Sequence, residues 1–264
     1  MSFTFIDKLG NFVNPIISLF FMSIIATIWF NLINYKNLKS IYTNFLRNKR
    51  IFLMLSSMVG LNWLCSIFAP HKSDPFIYLS ATFIVMAICG LVFKPKKSKI
   101  HFYIEWISII LLISCMLLLR YNYAIHHTKD IDIGLILGTS AGITSYYYAV
   151  FSEKYSRLNS FSSSQILALR FWPLIIVLGC HIFIRHIPIS FTWNMFSVLL
   201  LMSFLTLIIP VFFLQQAIIR MKTNNLSFML AMTPVITFII YTVSIWKLNW
   251  TNFVICLLIT LTLI

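Results

Sequence analysis

Hydrophobic residues form long runs along this chain, and the runs recur at an interval of about 150 residues. Four early runs have late counterparts at that offset, and the remaining late run would map before the first residue. The runs cover residues 12–33, 51–69, 76–93, 103–119, 133–152, 163–184, 195–219, 226–246 and 250–264. Most approach the roughly 20 helical residues that cross a hydrocarbon core. The pattern predicts about nine transmembrane helices, divided 4+5 between two inverted repeats.

The recurrence also predicts where the repeats begin and end. We expect an N-terminal repeat of four helices over residues 1–125 and a C-terminal repeat of five helices over residues 126–264. The first repeat then lacks the opening helix of a ten-helix bundle, and we expect the natural reading frame to extend upstream. Duplicated membrane bundles of this kind are mostly transporters, with the substrate site between the two halves.

Composition narrows the fold class further. Hydrophobic residues make up 60% of the 264 residues and charged residues only 10%. A soluble domain cannot bury so large an apolar fraction in one core, so part of the solvent must be lipid. A backbone exposed to lipid must satisfy its own hydrogen bonds, which favours helices, and the ten-residue alternation of a β-barrel is absent from the sequence. The sequence therefore predicts an all-α integral membrane protein.

The basic residues predict the orientation. When successive connections are placed on alternate sides, 13 of the 20 Lys and Arg residues fall on one side. Cytoplasmic loops carry such an excess, so we expect a multi-pass protein of the inner (cytoplasmic) membrane with a cytoplasmic C-terminus. The net charge of +14 has the same explanation. No nucleic-acid-binding motif accompanies it, and nucleic acid is not an expected partner.

Residues 34–50 form the largest connection on the basic side. Ile41, Tyr42, Phe45 and Leu46 are interspersed there with Lys and Arg residues. Two interpretations stay open: an ordinary positive-inside loop, which the sequence favours, or a short interfacial helix on anionic lipid.

Three glycines repeat at four-residue spacing in the run that opens the C-terminal repeat. Gly134, Gly138 and Gly142 share one helical face. Small residues let membrane helices approach closely, because lipid supplies no hydrophobic drive between them. This face is predicted to be a close-packing surface.

The second half of the chain carries a recognisable series of short motifs. Gly134 lies at the start of the fifth hydrophobic run, the pair Glu153-Lys154 follows that run, and Arg170 lies in the next one. Ala217, a short polar loop and Thr233-Pro234-Val235 come later. In this series the second half resembles the EamA-type unit of the drug/metabolite transporter superfamily, with Glu153-Lys154 on the cytoplasmic side and Arg170 placed as in the family's second helix. The first half is similar only in layout. The resemblance covers roughly residues 10–264 and implies a ten-helix transporter fold.

Two departures from the family pattern accompany the resemblance. The opening helix, which lines the central cavity in family members, is missing. Lys247 also stands after the fourth helix of the unit, where the family often has a glutamate.

Polar residues within the apolar runs are the candidate substrate contacts. Arg170 is the most costly, because a charge at the bilayer centre costs about 2.5–3.5 kcal/mol on insertion scales. It either snorkels to the cytoplasmic surface or binds an anionic group of the substrate. Of three adjacent tyrosines, only one or two can face a cavity. The predicted substrate-binding residues are Asn62, Trp63, Tyr147, Arg170, Gln215, Thr233, Thr237 and Tyr241.

These observations favour a transporter that moves a small organic metabolite, such as an amino acid, by alternating access, with export as the expected direction. No Walker loop, dinucleotide fingerprint or hydrolase motif occurs, so no catalytic residue, metal or cofactor is expected. The expected partners are the substrate, membrane lipid and a second copy of the chain in a homodimer. Two alternatives stay open: a membrane-embedded enzyme or assembly factor of the lipid-modifying kind, and an inactive truncated transporter.

Overall fold

The computed structural model describes residues 14–93, 99–124, 128–159, 161–189, 192–221, 223–233, 235–236, 239 and 250–263. Regular secondary structure in these ranges is helical throughout, with no strand among them. The all-α prediction is confirmed for this part of the chain.

Helices occur within each of the predicted runs, as far as the runs are described. The α-helices are α1 (Pro15–Ile33), α2 (Leu38–Arg47), α3 (Lys49–Lys72), α4 (Pro75–Val92), α5 (Lys99–Ala124), α6 (Thr128–Asn159), α7 (Ser163–Arg170), α8 (Trp172–Ile184), α9 (Trp193–Met202), α10 (Ile209–Arg220), α11 (Thr223–Ala231) and α12 (Trp250–Leu263). A 3₁₀ turn precedes α2 at Tyr35–Asn37, and a π-helical stretch, Ser203–Ile208, joins α9 to α10.

Five helical segments in the described residues are long and apolar enough to cross a membrane. They are Pro15–Ile33, Lys49–Ala69, Tyr103–Tyr121, Ser163–Ile184 and Met195–Arg220. The chain is thus compatible with a multi-pass membrane protein. Nine crossings in two inverted repeats stay a prediction.

Helix starts follow from local chemistry. Asn14 precedes α1 and accepts the Ile16 N–H on its side-chain oxygen at 2.9 Å. Asp74 caps α4 in the same way, accepting the Phe76 N–H at 2.7 Å. In both cases a proline occupies the first helical position, where no N–H is required.

Prolines also explain two interruptions inside the membrane-length segments. Phe171 separates α7 from α8, and Pro173 follows at the second position of α8. Pro210 stands just after the π-helical stretch. A proline removes a helical hydrogen bond and clashes with the carbonyl four residues earlier, so an unbroken α-helix is disfavoured at both places.

By contact, the chain groups into two compact units. The first, unit A, holds Met1–Trp63 and Tyr147–Met221, and the second, unit B, holds Leu64–Tyr146 and Lys222–Ile264. Each unit therefore combines segments from early and late in the chain. The repeat boundaries proposed above rest on the sequence recurrence, and they stay a prediction.

Within unit A, α1 packs against α7, α8 and the π-helical stretch. Trp29 of α1 contacts Phe204 edge to face, with ring centroids 4.7 Å apart. Amphipathic α2 joins the same unit, because Ile41 is fully buried with Phe52 of α3 and Leu169 of α7. Residues 38–47 are therefore helical, as the interfacial-helix interpretation requires, whereas the choice between a positive-inside connection and a helix on anionic lipid stays a prediction.

Within unit B, the glycine face of α6 packs closely on α4. A Cβ atom added at Gly138 would lie 2.7 Å from the Ala81 Cβ and 2.7 Å from the Tyr78 carbonyl oxygen. One added at Gly142 would lie 2.5 Å from the Thr82 carbonyl oxygen. The predicted close-packing face is confirmed, since no side chain larger than hydrogen fits at these positions without movement.

A separate apolar core in unit B joins α4, α5 and α12. Ile84, Leu112, Ile255 and Ile259 are all fully buried in it. Cys115 also belongs to this core, where it packs as a small apolar residue. Cys180 differs, because it is exposed on α8.

Candidate functional site

Arg170 is the last residue of α7, directly before the interruption at Phe171, and only 4% of its surface is exposed. The Arg170 side chain therefore does not extend to the protein surface, as the snorkelling alternative would require. Burial of a guanidinium in a membrane-length segment is costly unless the charge serves a partner or a ligand. The contacts of Arg170 consequently define the candidate site.

A hydrogen-bonded chain runs from Arg170 through three further side chains of unit A. Nη1 of Arg170 donates to the hydroxyl oxygen of Tyr148 at 2.8 Å. That hydroxyl donates in turn to Oε1 of Gln215 in a short hydrogen bond. Nε2 of Gln215 then donates to Oγ of Ser152 at 2.6 Å. The chain links α7 to α6 and α10, and all four residues are buried.

Two aromatic rings also face the guanidinium. The Cζ atom of Arg170 lies 4.8 Å from the ring centroid of Tyr148 and 4.7 Å from that of Phe171. Such cation–π contacts contribute about 2 kcal/mol or more where the cation is desolvated. They offset part of the cost of burial without neutralising the charge.

The positive charge of Arg170 has no carboxylate counterpart among the described residues. Ion pairs found there join Arg120 to Asp132 and Arg157 to Glu153, whereas the electrostatic partner of Arg170 is the phenol of Tyr148. The Nε atom of Arg170 is buried and makes no hydrogen bond. A guanidinium binds a carboxylate or phosphate through parallel N–H groups, so the site retains a donor and an uncompensated charge for an anionic group.

A second polar network fixes the helices around Arg170. The side-chain amide of Asn31 in α1 donates to the carbonyl oxygen of Ala168 at 2.9 Å. The Tyr42 hydroxyl in α2 donates to the Asn31 oxygen at 3.0 Å and accepts from the Trp172 indole N–H at 3.1 Å. These bonds connect α1 and α2 to both sides of the interruption at Phe171.

The predicted substrate contacts are distributed over both units. Arg170 and Gln215 come together through Tyr148, as described above. Asn62 and Trp63 lie half-buried in α3, at the end of the first segment of unit A. Thr233 belongs to unit B, and Thr237 and Tyr241 lie outside the described residues.

Tyr148 and Ser152 are the members of the network that the sequence interpretation missed. Tyr147, the predicted substrate contact among the three tyrosines, is half-buried and stacks on Phe151 with ring centroids 6.3 Å apart. The four-residue spacing of Tyr148 and Ser152 could have identified both residues from the sequence, because it places a phenol and a hydroxyl on one helical face. Substrate contact by Tyr147 stays a prediction.

Asp132, near the start of α6, pairs with Arg120 of α5. Its Oδ1 lies 3.0 Å from Nε of Arg120, and the two side chains are 49% and 60% exposed. A carboxylate that is both exposed and paired with an arginine is a surface ion pair.

Comparison with known proteins informs the fold. A solved structure described only as "Crystal structure of protein" is similar to this chain, with a TM-score of 0.69 and 10% sequence identity. The similarity covers 98% of this chain and 90% of the other chain. No protein-family model and no curated protein matches the sequence. At this identity, the likeness concerns the fold alone.

Proposed function

We propose that this chain is a transmembrane transporter of the drug/metabolite type that moves a small organic metabolite carrying an anionic group. Export by alternating access across the inner membrane is the expected mode. The proposal includes the finer architecture predicted above, namely nine crossings in two inverted repeats with a cytoplasmic C-terminus.

The observation that carries the proposal is the state of Arg170. Its charge is buried in a membrane-length segment, lacks a carboxylate partner among the described residues and keeps an unbonded Nε. A buried ionisable residue in such a segment marks a functional site more often than a structural one. The aromatic rings of Tyr148 and Phe171 beside it suit the apolar part of an amphipathic metabolite.

The helix interruptions give further support. Transporter sites are typically built where membrane helices are discontinuous. Arg170 ends α7 at one interruption, and Gln215 follows Pro210 and the π-helical stretch in the other. The two site residues therefore come from the two interrupted segments of unit A. Arg170 is also one of the residues that carry the sequence resemblance to EamA-type units, and this resemblance supports a transporter.

Transport by the full-length protein in vesicles tests the proposal. Purified protein would be reconstituted in liposomes preloaded with one unlabelled solute, and counterflow of the same labelled solute would be measured for amino acids, carboxylates, sugars and amines. We expect saturable accumulation of one class that carries an anionic group, above that of protein-free liposomes. Cooperative unfolding would show that the purified protein is folded. If such protein accumulates none of the solutes in the panel, the proposal is contradicted.

The same assay separates a transporter from a membrane-embedded enzyme. Mass spectrometry of the accumulated solute reports whether it is chemically unchanged. A transporter returns the solute unaltered, whereas an enzyme consumes it or releases a product.

A further inference from the structure

We infer that the segment from Tyr35 to Arg50, which contains α2, is a binding surface for the headgroups of anionic phospholipids. This inference is independent of the proposed transport function. It rests on the charge of the segment, on its fixed position in unit A and on the helices that flank it.

The exposed side of this segment is strongly basic. Its five cations are all exposed: Lys36, Lys39, Arg47, Lys49 and Arg50. The sequence holds no acidic residue between Asp7 and Asp74. None of the five forms an ion pair within the part of the chain that the structure describes. The surface is therefore complementary to a layer of negative charge.

The two cations of α2, Lys39 and Arg47, are held in place by the opposite side of the helix. Ile41 is fully buried against Phe52 and Leu169, and the rings of Phe45 and Phe52 pack edge to face with centroids 4.7 Å apart. Tyr42 adds the hydrogen bonds to Asn31 and Trp172 described above. Because the helix is anchored, little conformational entropy is lost when its basic side binds a ligand.

The position along the chain identifies the partner as lipid rather than as a soluble polyanion. The segment connects the ends of two membrane-length segments, Pro15–Ile33 and Lys49–Ala69. Two large apolar side chains, Tyr35 and Leu46, are 64% and 68% exposed among the cations. Basic residues interspersed with exposed apolar ones at the end of membrane helices are typical of a headgroup contact.

Lipid binding to detergent-purified, full-length protein tests the inference. Native mass spectrometry would give the affinities for phosphatidylglycerol and phosphatidylcholine with identical acyl chains. We expect wild-type protein to bind phosphatidylglycerol more tightly, and the difference to shrink at high salt because the attraction is electrostatic. Wild-type protein that binds both lipids equally, or that binds soluble glycerol 1-phosphate as tightly as phosphatidylglycerol, would overturn the inference.

A matched pair of variants locates the surface. The double variant Lys39→Gln/Arg47→Gln removes two cations of α2, and Lys154→Gln/Arg157→Gln removes two exposed cations from the end of α6. Each basic residue near an anionic surface contributes about 1 kcal/mol, so the α2 variant should bind phosphatidylglycerol roughly 30-fold more weakly. The control should retain wild-type affinity. Equal affinities in the two variants would contradict the assignment to α2.

Discussion

Arg170 and Tyr148 are joined by a hydrogen bond of 2.8 Å from the guanidinium Nη1 to the phenolic oxygen. The same oxygen donates its proton towards Gln215, so one hydroxyl serves α7 and α10 at once. Tyr148 itself belongs to α6. This single side chain therefore ties three helices of unit A together around a buried charge.

Replacing Tyr148 with phenylalanine should lower stability. The ring would remain beside Arg170, but two buried polar groups, on Arg170 and Gln215, would lose their partner. An unsatisfied buried group costs about 1–3 kcal/mol, so we expect a clear decrease in the melting temperature of the purified protein. Tyr121→Phe is the matched control, because its ring is 72% exposed. Equal melting temperatures for the two variants would show that the hydroxyl of Tyr148 stabilises nothing.

The glycine face of α6 gives a second prediction. Gly138→Ala places a methyl group 2.7 Å from Ala81 and from the Tyr78 carbonyl, so α4 and α6 must separate. Overpacking of this kind typically costs about 1–3 kcal/mol. Gly60→Ala provides the control, since its nearest neighbour would be Leu174 at 3.9 Å. Both changes lie within helices and gain the same helix propensity.

The measurement is thermal unfolding of both glycine variants in the same detergent. We expect Gly138→Ala to melt at a lower temperature than wild type, and Gly60→Ala to melt at or above it. A Gly138→Ala protein as stable as Gly60→Ala would contradict the close approach of α6 to α4.

Helical periodicity explains why part of this structure was predictable. Apolar runs of sufficient length locate helices without knowledge of their neighbours, and four-residue spacing identified the face of Gly134, Gly138 and Gly142. The cost of a charge in an apolar run likewise singled out Arg170 before its contacts were known. Each of these inferences depends on one helix at a time.

The remaining features depend on how helices rotate against each other. Tyr146, Tyr147 and Tyr148 differ by 100° in direction, and only the packing of α6 against α7 decides that Tyr148 meets Arg170. Tertiary contacts likewise decide that residues 38–47 form a helix, since Ile41 becomes fully buried only against α3 and α7. A run of mixed basic and apolar residues does not contain that information.

The hydroxyl of Tyr42 should hold α2 against the interruption at Phe171. In Tyr42→Phe the hydrogen bonds to Asn31 and Trp172 are lost, while the apolar contacts of the ring remain. We expect faster amide hydrogen exchange across Leu38–Arg47, measured by mass spectrometry, because local opening becomes easier. Thr43→Ala is the control, as its hydroxyl is exposed and bonds only locally to the Lys39 carbonyl. Unchanged exchange in Tyr42→Phe would mean that apolar packing alone fixes α2.

The ion pair between Asp132 and Arg120 should contribute little to stability or to transport. Exposed ion pairs contribute about 0–1 kcal/mol, and the Asp132 side chain, near the start of α6, is 49% exposed. We expect Asp132→Asn to retain the melting temperature, the transport rate and its dependence on pH. A transport rate that loses its pH dependence in this variant would instead identify Asp132 as a proton carrier.

The most direct test of the central claim compares Arg170→Gln with Arg220→Gln in counterflow. Arg220 is an exposed cation at the end of α10, so its removal controls for the loss of one charge. Each protein would be assayed with a carboxylate taken up by wild type and with the corresponding uncharged amide. We predict that the selectivity of Arg170→Gln for the carboxylate over the amide falls by about tenfold or more, because a charge-assisted hydrogen bond to the carboxylate is lost. Arg220→Gln should behave as wild type. Wild-type carboxylate transport by Arg170→Gln would contradict the assignment of Arg170 to substrate binding.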